Sequence, residues 1–258
     1  PYENVDLFTI NLFKKNVINH INPVGSGKWI IGSITGFQID KSIPSESIQQ
    51  LLHHVNSNYD EVFCILSAGC LTHINELINE TGKKSRSRSN FHLIDSQTLS
   101  GGLGYLINMT IRMIHNKKSP GEIDISLREK IPNIYTLLCS RNLSALYTSN
   151  FIDAGQLIMG EQHSIIPLFS LENGMLNSLE KFKNFQGLLE YLTEFLEEFE
   201  KIDQLVLIHP AKSNTPLFQE IMQFVHQNNE VNSLLEVKSN DFLSNLIGSD
   251  GFGLILVE

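Results

Sequence analysis

The stretch from Phe91 to Ile107, FHLIDSQTLSGGLGYLI, constrains the fold more than any other part of the chain. It opens apolar and strand-like and passes through Asp95-Ser96 into a Gly-rich turn. Apolar residues then follow at helical spacing, at Leu103, Leu106, Met109 and Met113. Ser96 or Thr98 can cap the helix start. Ser100, Gly101, Gly102 and Gly104 let a ligand or another backbone approach closely. A buried strand turning into a helix is the building unit of α/β proteins, and their ligands gather at that junction. The segment by itself reads equally well as a packing joint with no ligand, so the rest of the sequence has to decide.

Eight further short runs rich in β-branched and aromatic residues read as strands: 29–39, 61–67, 133–139, 164–171, 175–182, 204–209, 233–237 and 253–257. Helical patterns fall between them at 45–56, 71–79, 99–116, 120–130, 185–201 and 216–227. Strands alternating with helices need crossover connections, which predicts a largely parallel sheet in the first half. The second half breaks the rhythm: SIIPLFSL and MLNSLEKF are joined by Glu172-Asn173-Gly174, and Asn-Gly is a favoured hairpin turn. The expected architecture is therefore α/β with two domains. Residues 1–132 form an N-terminal domain on a parallel sheet, residues 133–258 a C-terminal domain on a mixed sheet, and a ligand cleft lies between them. The helix GLLEYLTEFLEEFEK carries an apolar stripe from Leu188 to Phe199 opposite a row of glutamates, a core-facing helix with a solvated acidic face.

Several functions are excluded early. A formal charge of −9 argues against a nucleic-acid partner, because phosphate binding wants a basic surface and the only concentrated basic stretch is the loop-like GKKSRSRS at 82–89. No apolar run reaches the roughly 18 residues of a membrane span. The three cysteines, Cys64, Cys70 and Cys139, form no CxxC pair, and Cys64 and Cys139 sit in apolar runs, which fits a reducing, cytoplasmic setting. The sequence opens at Pro1 with neither an initiator Met nor a signal-peptide pattern, as in a processed or trimmed chain, so no targeting is read from that end.

Catalytic signatures are missing. Val24-Gly25-Ser26-Gly27-Lys28 lacks the spacing of a phosphate loop and precedes a strand, so it reads as a turn. Nine histidines include the doublet His53-His54, yet no HExxH and no carboxylate stands at a metal-ligand spacing, so neither metal nor cofactor is expected. No GxSxG elbow occurs. What remains is a set of polar residues at strand ends: Ser42 beside Pro44, Ser67, Thr72-His73, Asp95-Ser96 and His209. Helix starts nearby offer free amides and a positive dipole end, which suit a carboxylate or phosphate. The GSDGFG run at 248–253 adds a second flexible backbone surface.

In their order along the chain these residues resemble the DegV family of bacterial lipid-binding proteins. LIDSQTLSGGLGYLI is similar to that family's strand-to-helix motif, an Asp-Ser pair followed by a Gly-Leu-Gly turn. KSIPSESIQQLL resembles its TSQPS-type motif and ILSAGCLTHINELI its serine-rich loop ending LSGT. LVLIHPAKSNTPLFQEI resembles its strand, His and helix motif, and GSDGFGLILV its closing HxGPG strand. The resemblance implies a two-domain EDD fold that holds one long-chain fatty acid, with the acyl chain inside one domain and the carboxylate near the interdomain cleft. It also implies that the protein presents this acid to a separate fatty acid kinase and does no chemistry itself.

Departures from the family pattern bear on the headgroup. Lys41 replaces the leading Thr of the TSQPS-type motif, while Ser42, Pro44 and Ser45 are kept. The LSGT-type loop reads CLTH, which passes the carboxylate-binding hydroxyl to Thr72 or Ser67, beside His73. Ser249 or Asp250 stands where the closing motif has its His. The GGR-type turn reads Ala154-Gly155-Gln156, and Lys183 corresponds best to the usual Arg after the hairpin. The family's opening strand is not visible before Lys41. The expected lipid site is thus Ser42, Ser67, Thr72, His73, Asp95, Ser96, His209 and Ser249, with a bound fatty acid as ligand. The alternative function is an interaction or scaffold module that keeps the fold and has lost the headgroup site. An enzyme using His209 or His73 rests on lone histidines only.

Overall fold

The computed structural model describes residues 5–11, 29–35, 60–69, 90–210, 223, 231–239, 241–249 and 251–258. The helices expected at 45–56, 71–79 and 216–227 lie outside the described residues. Backbone contacts divide the chain into two units: Pro1–Pro132 with Asn173–Met175, and Asn133–Glu172 with Leu176–Glu258.

The first unit carries a four-stranded sheet of β1 (Val5–Asn11), β2 (Trp29–Thr35), β3 (Glu61–Leu66) and β4 (Asn90–Asp95), in that order. Every pair is parallel, and the strands start level: Val5 pairs with Trp29, Trp29 with Glu61 and Glu61 with Asn90. Their carboxyl ends therefore share one edge, where Leu66 lies beside Asp95. In β3, five of the six residues are buried, as the apolar run VFCIL requires of a strand covered on both faces. The opening strand that the sequence did not reveal is β1. Its polar Asp6, Thr9 and Asn11 blur the pattern, and it lies at the sheet edge, where pairing to β2 rather than its own composition defines it. Of the strand expected from Trp29 to Ile39, β2 covers Trp29–Thr35, with Thr35 paired to Asn11, and 36–39 lie outside the described residues.

After β4 come α1 (Ser100–His115) and α2 (Pro120–Lys130). Leu103 and Leu106 bury one side of α1, and Ile123 and Leu127 one side of α2. The start of α2 is fixed by sequence chemistry. The Ser119 hydroxyl accepts from the Glu122 N–H, and the Glu122 carboxylate accepts from the Ser119 N–H at 2.8 Å, with Pro120 in the first turn.

The second unit carries a six-stranded mixed sheet. Its strands are β5 (Ile134–Cys139), β6 (Ile166–Glu172), β7 (Met175–Phe182), β8 (Gln204–His209), β9 (Leu234–Lys238) and β10 (Phe252–Val257), in the order β7-β6-β5-β10-β8-β9. β10 runs antiparallel to β5 and β8, β5 antiparallel to β6, and β8 parallel to β9. Asn173 and Gly174 both have left-handed φ, +52° and +72°, as a two-residue turn between β6 and β7 demands.

Among the described residues, four helices accompany this sheet: α3 (Leu143–Thr148), α4 (Ala154–Gln162), α5 (Phe185–Glu197) and α6 (Asp241–Ile247). α5 lays Leu188, Leu192 and Leu196 against Leu137 of β5, Ile166 and Leu168 of β6, and Leu254 and Leu256 of β10. It ends four residues before the expected Lys201. Phe199 continues the apolar spacing past that end because it packs edge-on against Tyr135 and Phe195, with ring centres 4.9 and 5.2 Å away. The short helices α3, α4 and α6 span too few residues for a 3.6-residue period to show in sequence. Ala154-Gly155-Gln156, the counterpart of the GGR-type turn, forms the first turn of α4, capped by Asp153.

Candidate functional site

At the carboxyl edge of the parallel sheet, β3 and β4 hand over to a strap of hydrogen bonds. The Ser96 N–H donates to the Leu66 carbonyl and the Ala68 N–H to the Thr98 carbonyl, both at 2.9 Å. The Ser96 hydroxyl donates to the Thr98 carbonyl and accepts from the Thr98 N–H, each at 3.3 Å. The Asp95 carboxylate accepts from the Gln97 N–H at 3.0 Å. Gln97 and Ser100 adopt left-handed φ, +52° and +46°, a local cost that this strap holds in place. Ser67 and Ser96 are buried and Asp95 is half-buried.

Ser96 and Thr98 were the expected caps of α1, and the structure corrects this. The N-cap is Leu99, whose aliphatic side chain can make no capping bond, and the Ser96 hydroxyl is committed to the strap instead. The first turn of α1, Ser100-Gly101-Gly102, carries no acidic side chain either. A 16-residue helix thus begins with amides that no capping side chain claims, at the ligand-prone edge of the sheet.

In the second unit a pocket of about 530 Å³ opens between α3, α4 and the β6–β7 hairpin strands. Pro167 and Phe169 of β6 form one wall, and Phe151, Ile152, Met159 and Ile165 come from α4 and its flanks. Alternate residues of a strand face opposite sides, so β6 gives Ile166 and Leu168 to the α5 core and Pro167 and Phe169 to the pocket. The polar lining is sparse: Asp153, Gln156, Ser178 and Lys181. Asp153 and Gln156 are occupied with each other in a capping box, the Asp153 carboxylate accepting from the Gln156 N–H at 2.8 Å. The cation at this pocket is Lys181, whereas Lys183, the sequence counterpart of the family's Arg, lies exposed beyond the end of β7.

The remaining expected residues scatter. His209 ends β8, buried, with Nδ1 2.9 Å from the Pro210 carbonyl and Nε2 2.7 Å from the Glu236 carboxylate. Ser249 is exposed after α6. The glycine run around it is no flexible surface: a Cβ on Gly251 would collide with the carbonyls of Ile247 and Cys139, and the Arg141 N–H donates to Ile247 at 2.7 Å. Ser42, Thr72 and His73 fall outside the described residues. The structure brings Ser67, Asp95 and Ser96 to the same sheet edge, and of the pocket lining the sequence reading names only Gly155 and Gln156, as part of the GGR-type turn. Its available signal was NFIDAGQLIMG, where large apolar residues stand in a segment without a strand or long-helix pattern. Among the described residues, no group of three His, Cys, Asp or Glu is placed to hold a metal, and no helix is long and apolar enough to cross a membrane.

A family model described as "Uncharacterised protein, DegV family" matches residues 40–257. The chain belongs to the DegV family. A DegV domain-containing protein of Staphylococcus aureus is 23% identical over 177 residues, which cover 66% of this chain and 61% of the relative. The chain thus spans about 61% of the length of the first curated relatives it matches. Among solved structures, a fatty acid binding DegV family protein of Streptococcus agalactiae superposes with a TM-score of 0.75 at 14% identity, covering 98% of each chain. A DegV family protein of Eubacterium eligens loaded with heptadecanoic acid superposes with a TM-score of 0.67 at 14% identity, covering 87% of this chain and 92% of that one. At such identities the superpositions establish the DegV fold, two α/β units with a mixed second sheet.

Proposed function

We propose that this DegV family member binds one long-chain fatty acid, or a similar single-chain lipid, and carries it without catalysing a reaction on it. The observation that carries this reading is the apolar pocket of the second unit. Its volume of about 530 Å³ lies within the range of roughly 300–1,000 Å³ usual for small-molecule sites, and its walls are mostly aliphatic and aromatic. An acyl chain gains about 0.8 kcal/mol per methylene removed from water, so such walls supply affinity without many polar contacts. The proteins of Streptococcus agalactiae and Eubacterium eligens, which share the fold, support the same ligand class.

In this reading the carboxylate is held on the first unit, by the first-turn amides of α1 with Ser67 and the Asp95-Ser96 strap, joined by Ser42, Thr72 and His73 from the family's other motifs. Ser96 serves by shaping the strap, and His209 by fixing its loop against Pro210 and Glu236. Ser249 stands near the headgroup only by family order. The carrier would work in the cytoplasm, where Cys64 and Cys139 stay as thiols, and would present its acid to a fatty acid kinase. Native mass spectrometry of the purified chain tests the reading: it should show a co-purified acyl chain, and delipidated protein should take up oleate with one-to-one stoichiometry. Repeated absence of lipid together with no uptake of oleate overturns it.

A further inference from the structure

α4 lies loosely on its unit. Of its nine residues only Gly160 is buried, while Ile158 and Met159 are about half exposed. Glycine is a poor choice inside a helix on propensity alone, so its place here needs a packing reason. That reason is Leu143, the first residue of α3: a Cβ on Gly160 would stand 2.6 Å from Leu143 Cδ1, 3.8 Å from Cγ and 4.0 Å from Cδ2. The isobutyl group of Leu143 is seated in the notch that the missing side chain leaves. Both residues line the 530 Å³ pocket, so the space beside this notch is the pocket itself.

We propose that the Gly160 notch sets the length of acyl chain the pocket accepts, by parking the Leu143 side chain out of the cavity; this rests on the acyl-carrier reading above. Any side chain at Gly160 displaces the tip of Leu143, and the room open to it is pocket volume. Each methylene of ligand that loses its place then costs about fourfold in affinity. Short acids that never reach the notch are unaffected. Leu143→Ala works in the opposite sense, deepening the pocket and favouring longer acids.

The test is a set of dissociation constants for laurate, myristate, palmitate and stearate with the delipidated full chain, its Gly160→Ala and Leu143→Ala variants, and the double variant, each with a thermal melt. Gly160→Ala should keep laurate affinity and weaken stearate by about fourfold or more. Leu143→Ala should raise the stearate-to-laurate preference, and the double variant should recover the stearate affinity lost in Gly160→Ala. Equal weakening at every chain length, or a wild-type length preference in both single variants, overturns the notch. Should Gly160→Ala fail to fold, Leu143→Ala alone decides by its shift in preference. Wild type binding none of the four acids overturns the carrier reading itself, and the notch with it.

Discussion

Ser96→Ala separates two roles for the motif that organises the first unit. The hydroxyl is fully buried, as is Thr98, and it makes two bonds to Thr98, one donated to the carbonyl and one accepted from the N–H. Alanine keeps the backbone bond from Ser96 to Leu66, and Thr98 still accepts from Ala68. The loss therefore falls on the bond that the Thr98 N–H makes to the Ser96 hydroxyl, in a place water does not reach. Unmaking such a bond costs about 1–3 kcal/mol, and the 3.3 Å lengths argue for the weaker half, so about 1.5 kcal/mol is expected. For a chain of this size, that lowers the melting temperature by about 3–6 °C. Thermal melts of lipid-free protein, followed by far-ultraviolet circular dichroism, read the shift, and a parallel oleate titration reads binding. A variant that melts with the wild type refutes the structural role of the hydroxyl. If it also loses oleate, the hydroxyl serves the ligand directly.

Three further outcomes follow from the same physics. The Glu122 carboxyl is held down from 4.5 to about 2, first by the Ser119 N–H, then by the Ser119 hydroxyl and Lys118. Its stabilising effect is complete above its unfolded value and is lost as pH falls from 4.5 toward 2, so Glu122→Gln should flatten the acid limb of the melting profile, and an unchanged limb counts against the capping box. Burial pushes the Cys64 and Cys139 thiols up to about 12, so peptide mapping should find both unlabelled by iodoacetamide in the native state and labelled after unfolding. Leu192→Ala, at the centre of the α5 interface, should cost about 2–5 kcal/mol by denaturant titration; a smaller loss means the cavity collapses.

What the sequence disclosed depended on how locally each feature is encoded. β8 and α2 were legible to the residue, because an apolar run bounded by polar residues and a Ser-Pro-x-Glu start are complete signals in themselves. The Asn173-Gly174 turn was equally plain, since both positions need left-handed φ. α1 was legible in its body and misread at its start: a serine near a helix start looks like a cap, and only the fold shows that its hydroxyl is spent bracing the junction between β3 and β4. β1 needed its partner strand to be recognised. The pocket was the hardest part. Phe151, Met159 and Phe169 look like ordinary core residues in sequence, and the cavity arises from how a loop, a short helix and two strands meet.

The helix starts explain how the proposed carrier divides its labour. α2 is capped by Ser119, α3 by Asn142, α4 by Asp153 and α5 by Asn184, each side chain accepting from an amide of the first turn. At α4, beside the pocket, the cap is an anion, which offsets the positive end of the helix and makes it a poor seat for a carboxylate. Lys181 balances Asp153 at the same lining, so the pocket offers an acyl chain apolar walls and little net field. Among α1 to α5, only α1 starts without a side-chain cap, and its first turn has small residues and no acid. A carboxylate there completes the capping that the sequence omits, at little steric cost. Substitutions in the pocket should change which chain is preferred, whereas substitutions at the start of α1 should weaken every chain length alike.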